Sequence, residues 1–378
     1  MDADRFSLSQ EYACALLTID LDAICANWRL LGERVRPGAC GAVVKANAYG
    51  LGAAPVARAL YRAGCREFFV AQVEEGVHLR SVLPSSALVY VLQGCLPGGE
   101  QACLEHDLIP VLNSLDQVER WQSLARRRQR VLDAALQFDT GMARLGLSPA
   151  DADRLEAEPE RLHSLRISLV LSHLVAAEVA EDPVNLLQLE RFRMLRAKWP
   201  HGRASLANSS GIFLDQAFHF DLARPGAALY GVAPKPGVNP LRPVVRLQGR
   251  LIQWREIEAG TGVGYNHTWR ATRRARIATV AVGYADGYLR SASNRARLRF
   301  QGTEVPLIGR VSMDTVTVDA SDIPAAALTP GALFDVLDSA QDINALAAQA
   351  GTNAYEILTS LGDRFQRRYL SKPQLSDI

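Results

Sequence analysis

A lysine stands at residue 45, where the apolar run Ala42, Val43 and Val44 gives way to Ala46, Asn47, Ala48, Tyr49 and Gly50. A surface lysine usually sits among polar neighbours; this one leaves what reads as a core strand. Desolvation lowers the pKa of such an amine, so its free base is available both to condense with a carbonyl and to move a proton. Other chemistry-bearing residues close later apolar runs in the same manner: Gln137 with Asp139, His173, Asn208 with Ser209, and Arg224. Together they resemble a site more than a hydrophobic plug.

The elements that must position them follow a coarse repeat from residue 40 to about 230. Short apolar runs (GAVVKA, EFFVAQ, ALVYVLQG, LIPVLN, AALQFD, ISLVLSH, ASLANS and DLARPGAALYG) alternate with helix-like segments such as APVARALYRAG and SLDQVERWQSLARRR. Ser114 and Gln117 open one helix with capping-box spacing. Strands that alternate with helices predict a parallel sheet, and eight such units favour a closed (β/α)8 TIM barrel over an open doubly wound sheet. The first unit contains no G-x-G-x-x-G, which further disfavours a dinucleotide-binding sheet. In such barrels the working residues sit at the C-terminal ends of the strands. The candidate residues occupy those ends.

Proline and glycine in PKPGVNP, residues 234 to 240, break the repeat, and the runs beyond it (VVRLQGRLIQW, RRARIATVAVGY, ARLRFQGTEVPLIGRV, ALFDVL) read as strands. The expected organisation is a barrel over 14–236, then a smaller C-terminal β-rich domain over 237–378, to which residues 1–13 are candidates to add.

With 42 Lys plus Arg against 40 Asp plus Glu in 378 residues, no basic field exists to attract nucleic acid or anionic lipid, so a small-molecule partner is expected. The cysteines at 14, 25, 40, 65, 95 and 103 form no C-x-x-C pair and no Cys/His cluster of metal spacing. Buried reduced thiols in a cytoplasmic protein without a metal are the expectation. The opening MDADRFSLSQ lacks the basic flank and apolar core of a signal peptide, and no apolar run reaches membrane-spanning length.

KANAYG at 45–50 is followed by DTGMARLG (139–146), ANSSG (207–211), RPGAALYG (224–231), GVGY (262–265), GYADGY (283–288) and GRVSMD (309–314). In this order the motifs resemble those of the alanine racemases, which use pyridoxal 5′-phosphate on a (β/α)8 barrel with a β domain. The resemblance runs from about Thr18 to Tyr369. It implies that Lys45 carries the cofactor as a Schiff base and serves as the base for the D enantiomer. Tyr265, reaching in from the second domain of a partner subunit, would be the base for the L enantiomer. Racemisation needs proton sites on opposite faces of a planar carbanion, and these two residues would supply them. An obligate homodimer follows from the resemblance.

The resemblance further sets Arg224 against the pyridine nitrogen, where a guanidinium donates without readily handing over its proton. Left to its own sequence context, Arg224 reads instead as a surface ion pair with Asp221. Tyr49, Ser209, Gly226, Ala227 and Tyr355 match phosphate contacts, His173 the ring-stacking position and Asn208 a position near the cofactor's edge. Arg144 and Met313 match residues that hold the substrate carboxylate and the cofactor's phenolic oxygen, and Tyr284 and Asp314 match the entrance. A pocket closed by Met313 and Tyr265 suits a methyl side chain, so L- and D-alanine are the implied substrates. Both the supply of D-alanine to peptidoglycan and alanine catabolism would use this chemistry.

Two positions depart from the pattern. The residue two before DTGM, commonly a lysine carbamate that positions the arginine, is Gln137, and an amide cannot be carbamylated. The Gln137 side-chain oxygen is therefore expected to accept directly from Arg144. Leu51 stands where a histidine is frequent. The competing readings are a broad-specificity racemase acting on serine, lysine or arginine, a fold-related amino acid decarboxylase, and a single-barrel cofactor-binding protein. GVGY and GRVSMD argue against the second, and the long C-terminal segment argues against the third.

Overall fold

A computed structural model describes residues 12–371. The chain divides into two compact units, Ala23–Arg242 and a second built from the described parts of Met1–Asp22 and Pro243–Ile378.

In the first unit, Ala42–Val43, Glu67–Val70, Leu88–Val91, Ile109–Leu112, Leu132–Gln137, Leu165–Leu171 and Arg203–Ser205 pair in parallel, each with the next in sequence. Leu222–Ala223 supplies the eighth position. Its neighbour on one side is reached through Asp221 N–H to Ala204 O (3.0 Å) and Arg224 N–H to Ala207 O (2.9 Å). On the other side Gly41 N–H reaches Ala223 O and Val43 N–H reaches Pro225 O, both at 2.9 Å, so the barrel closes. The first strand is split at Gly41 into Ala39–Cys40 and Ala42–Val43. A Cβ there would stand 2.9 Å from the Phe69 ring and 3.1 Å from Glu67 O, so only glycine lets the strand approach its neighbour.

Phe68, Phe69 and Tyr90 are fully buried, and the Phe69 and Tyr90 rings stack at 4.8 Å. Each such side chain contributes roughly 1.5–3 kcal/mol of burial. Glu67, at the start of one strand, pairs with Arg203, at the start of another. The N-terminal ends of the strands thus carry a structural ion pair, and the C-terminal ends are left for chemistry.

The helices lie where the periodicity places them: Ala53–Arg62, Leu115–Arg128 and Pro183–Lys198. The expected capping box at Ser114 is half formed. Ser114 Oγ accepts from Gln117 N–H at 3.2 Å, but the Gln117 carboxamide turns to Asn113 N–H (2.8 Å) and Gln93 O (2.9 Å).

The second unit is an eight-stranded sheet about the long strand Val245–Ile257. A bulge between Leu251 and Gln253 bends that strand, so that one half pairs with Leu333–Leu337 and the other with Ala275–Val280. Ala15–Asp20 belongs to this sheet. It runs antiparallel to Val245–Ile257 and parallel to Gln366–Leu370, with Ala15, Leu17 and Ile19 buried in strict alternation. The expected division at 14–236 is therefore corrected to Ala23–Arg242, because backbone pairing rather than adjacency in sequence assigns that strand. Of residues 1–13, positions 1–11 lie outside the described residues. Among the cysteines Cys14 is exposed, contrary to the expectation of uniformly buried thiols, and none is in a disulfide.

Candidate active site

Lys45 follows directly on the first barrel strand, and the four residues after it all have positive φ: Ala46 50°, Asn47 54°, Ala48 54° and Tyr49 54°. This is one turn of left-handed helix built without glycine. L-residues avoid the conformation because Cβ crowds the following carbonyl, at roughly 1–2 kcal/mol per residue. It persists only where the surroundings over-determine it. Here Gly50 N–H reaches Ala46 O (2.7 Å), Gly52 N–H reaches Asn47 O (2.8 Å) and Ala53 N–H reaches Asn47 Oδ1 (2.7 Å). Ala48 and Leu51 are fully buried beneath it. The turn swings the chain sharply aside, leaving the half-buried Lys45 at the strand mouth. Its amine pKa is lowered, first by burial and then by Arg144, against an opposing pull from Glu75.

Arg224 ends the eighth strand and is buried to 4% exposure. Its guanidinium donates to Ser205 Oγ and to Ser172 O, with no carboxylate partner among the described residues, and burial pulls its pKa down to about 10. The surface ion pair with Asp221 does not form. Asp221 Oδ2 instead accepts Ala204 N–H at 2.7 Å. His173 is held neutral, its pKa lowered to about 3 by burial and then by Arg224, Arg144 and Lys45. One cluster of Lys45, His173, Arg144 and Arg224 thus shares an electrostatic neighbourhood.

Beside it, Ser209 Oγ accepts from Gly226 N–H (3.0 Å) and Ala228 N–H (3.2 Å), leaving its own hydrogen to donate. Ala227 is buried between them. A Cβ on Gly226 would stand 2.3 Å from Tyr49 Oη, so these backbone amides and the tyrosine converge on one place. Tyr49 packs on Tyr230 at 4.9 Å, and Tyr230 donates to Val43 O at 3.0 Å. Asn208 spends its oxygen on Gly211 N–H (2.9 Å) and donates weakly to Leu174 O (3.4 Å).

The expected Gln137–Arg144 hydrogen bond is absent. Gln137 is buried at the strand end, whereas Arg144 is exposed. The intervening loop is gathered on Asp139, whose carboxylate accepts from Gly141 (2.8 Å), Met142 (2.9 Å) and Ala143 (3.0 Å), which sets Arg144 outward at the rim.

The remaining candidates lie in the second unit. Tyr265 is 63% exposed on the short turn Tyr265–His267, which caps the hairpin of Gly262–Val263 with Trp269–Arg270. Tyr284 and Met313 are likewise exposed, and their loops are joined by Tyr284 N–H to Ser312 O (3.0 Å) and Ala285 N–H to Met313 O (2.9 Å). Arg364 bridges Asp314 and Asp286, each at 2.7 Å, and locks the two loops together. Tyr355 is half-buried on the helix Ala354–Ser360.

Four contributing residues were not foreseen. Ser172 and Ser205 seat Arg224. Gln188, fully buried, binds Thr140 Oγ1 (3.2 Å), His173 O (2.9 Å) and Val175 N–H (2.9 Å), fixing the backbone that presents His173. Glu75 grips the Lys45 turn through Ala46 N–H at 2.6 Å. Only Glu75 had a visible signal, an acidic pair opening a helix directly after a strand.

The donor set suits a flat, electron-withdrawing heterocycle with a phosphate. A lowered amine can condense with an aldehyde, a cation without a counter-charge can donate to a neutral ring nitrogen, and converging amides and hydroxyls can hold a dianion. Among the described residues no group of three His, Cys, Asp or Glu is placed to hold a metal, and no helix is long and apolar enough to cross a membrane.

A (β/α)8 barrel with a lysine at its first strand end, beside a separate β-rich unit, defines the class as that of barrel-type cofactor-dependent amino acid enzymes. The N-terminal domain of alanine racemase matches residues 19–234 and its C-terminal domain residues 244–369. The chain belongs to the alanine racemase family. It is 51% identical over 362 residues to alanine racemase of Rhodospirillum rubrum, covering 95% of this chain and 97% of that one. It is 46% identical over 364 residues to a catabolic alanine racemase of Mesorhizobium japonicum, covering 96% and 95%. Alanine racemase of Bartonella henselae, solved with covalently bound pyridoxal phosphate, superposes with TM-score 0.91 at 42% identity, covering 95% of this chain and all of that one.

Proposed function

We infer that this chain is an alanine racemase that interconverts L- and D-alanine with pyridoxal 5′-phosphate held by Lys45. The observation that carries the reading is the pairing, at one barrel mouth, of a lysine amine of lowered pKa with a buried arginine that has no carboxylate partner. When bound, the cofactor supplies an electron sink that makes the substrate's Cα proton removable.

The residues divide the remaining work. Arg224, charged and enclosed, would donate to the ring nitrogen while keeping its own proton. Neutral His173 would stack on the ring, as the family match implies, and adds no charge beside Lys45. Tyr49, Ser209, Gly226 and Ala227 would hold the phosphate, with Tyr355 as the family match implies, and Asn208 would border the cofactor. The exposed Arg144 orients the substrate carboxylate, with Met313. Lys45 moves the proton on one face of Cα, and Tyr265 of the partner subunit moves it on the other. The exposed grouping of Tyr265, Tyr284 and Met313 on one unit supports a surface that works against a second copy, with Tyr284 and Asp314 at the entrance. A cytoplasmic homodimer is part of this proposal. Peptidoglycan supply and alanine degradation are both served by the one reaction.

The test is incubation with L-alanine in deuterated water, following chirality and deuterium at Cα. D-alanine carrying Cα deuterium is the expected outcome. Unchanged alanine from a protein that still develops visible absorption with the cofactor would retain Lys45 and reject the substrate, bringing serine, lysine and ornithine forward.

A further inference from the structure

Glu75 lies outside the motifs quoted above, yet it governs the backbone at Lys45. Its two oxygens face different segments. Oε1 accepts Ala46 N–H at 2.6 Å, while Oε2 accepts Ala71 N–H at 2.7 Å and Gln72 N–H at 3.2 Å. Ala46 N belongs to the peptide that joins Lys45 to the left-handed turn, and a first-turn amide has no partner within its own helix. Glu75 provides that partner from the helix Val73–Arg80, after the second barrel strand. The same carboxylate is the negative charge that acts on the Lys45 amine, opposing Arg144.

We propose that Glu75 is a positioning residue for Lys45, clamping the left-handed turn to the neighbouring strand end and balancing the charge around the amine. The proposal rests on the reading of Lys45 as the cofactor lysine. The carboxylate's two oxygens, both acceptors, allow it to hold three donors at once. An amide presents one oxygen and one N–H₂, so glutamine at 75 would set a donor against a donor on one of the two segments. Aspartate would keep the charge but fall a methylene short. The groups that bear on the Lys45 amine are Glu75 and Arg144, and neutral His173, itself acted on by Lys45, Arg144 and Arg224, completes the neighbourhood.

The experiment compares wild type, Glu75→Gln and Glu75→Asp in two readouts. In the apoprotein, pH-dependent labelling of the Lys45 amine, read by mass spectrometry of its peptide, reports its titration midpoint. Pyridoxal 5′-phosphate titration, read by visible absorbance, reports affinity. Glu75→Gln is expected to lower the midpoint and weaken cofactor affinity about 10- to 100-fold, the loss typical of a hydrogen bond to a charged group. Glu75→Asp is expected to return the midpoint toward wild type while affinity stays weak. Wild-type midpoint and affinity in a folded Glu75→Gln overturn the proposal. If that variant does not fold, wild-type affinity in Glu75→Asp overturns it. A wild-type protein that develops no visible band with the cofactor would instead defeat the reading of Lys45, leaving the two failures distinct.

Discussion

Gly226 leaves the space that the Tyr49 hydroxyl fills: a Cβ on Gly226 would stand 2.3 Å from Tyr49 Oη and 3.3 Å from Val43 Cβ. Its φ of −121° lies outside the left-handed region, and the space that Tyr49 takes is what excludes a side chain here. Gly226→Ala must displace the tyrosine or the loop, which overpacking puts at roughly 1–3 kcal/mol. Because the amides of Gly226 and Ala228 share Ser209, the shift also disturbs the proposed phosphate cradle. Thermal melting should register the loss, and adding Tyr49→Phe should recover part of it, since Oη is the nearest obstruction. Additive losses in the double variant would rule out the contact as the cause.

Arg224 predicts an opposition between stability and function. Burial lowers its pKa from the ordinary arginine value in the unfolded chain to about 10 in the fold, so the unfolded state holds the proton more tightly. The sign follows. The penalty is fully present below about pH 10 and is relieved only as pH rises from there toward the ordinary arginine range. At neutral pH it is on the order of 3 kcal/mol before the bonds to Ser205 and Ser172 offset it. Arg224→Met should therefore raise the melting temperature of the cofactor-free protein, by about 2–4 °C per kcal/mol relieved, while cofactor affinity falls. A lower melting temperature would show that the two hydrogen bonds outweigh the buried charge.

Most of the fold and half of the site were legible because they rest on local pattern. The alternation of apolar runs with helices located every barrel strand, and Lys45, His173, Ser209 and Arg224 all close such runs. What escaped depends on contacts distant in sequence. Ala15–Asp20 looks like a prelude to the barrel, and only its partners Val245–Ile257 and Gln366–Leu370 reassign it. Four consecutive positive φ angles after Lys45 run against the propensities of alanine and tyrosine, so no local signal announces them. Gln188 reads as one polar residue on a helix until Thr140, His173 and Val175 are seen around it.

Gln137 bears on how Arg144 is positioned. The two side chains form no bond, and an amide accepts no carbon dioxide, so neither a carbamate nor a neutral substitute for one steadies this arginine. Activity should change less than about twofold when bicarbonate and dissolved carbon dioxide are stripped, a difference too small for the loss of a charge-assisted contact. Gln137→Lys places at this buried position an amine that carbon dioxide can carbamylate, so sensitivity to bicarbonate should appear in that variant. A wild-type enzyme that loses activity on degassing and regains it with bicarbonate would contradict this account.

The assignment of two bases to two subunits can be tested with inactive proteins. Lys45→Ala and Tyr265→Phe should each lower turnover by about 10²–10⁴, the usual range for losing a positioned acid–base group. If one site draws Lys45 from one copy and Tyr265 from the other, a hybrid dimer contains one doubly altered site and one intact site. Random reassortment makes half the dimers hybrid, so a mixture unfolded and refolded together should recover about a quarter of wild-type activity. Sites built within single chains would recover none, since each chain would carry its own lesion. Size-exclusion chromatography of the mixture confirms that dimers have re-formed, so an absence of recovery then counts against the shared site rather than against refolding.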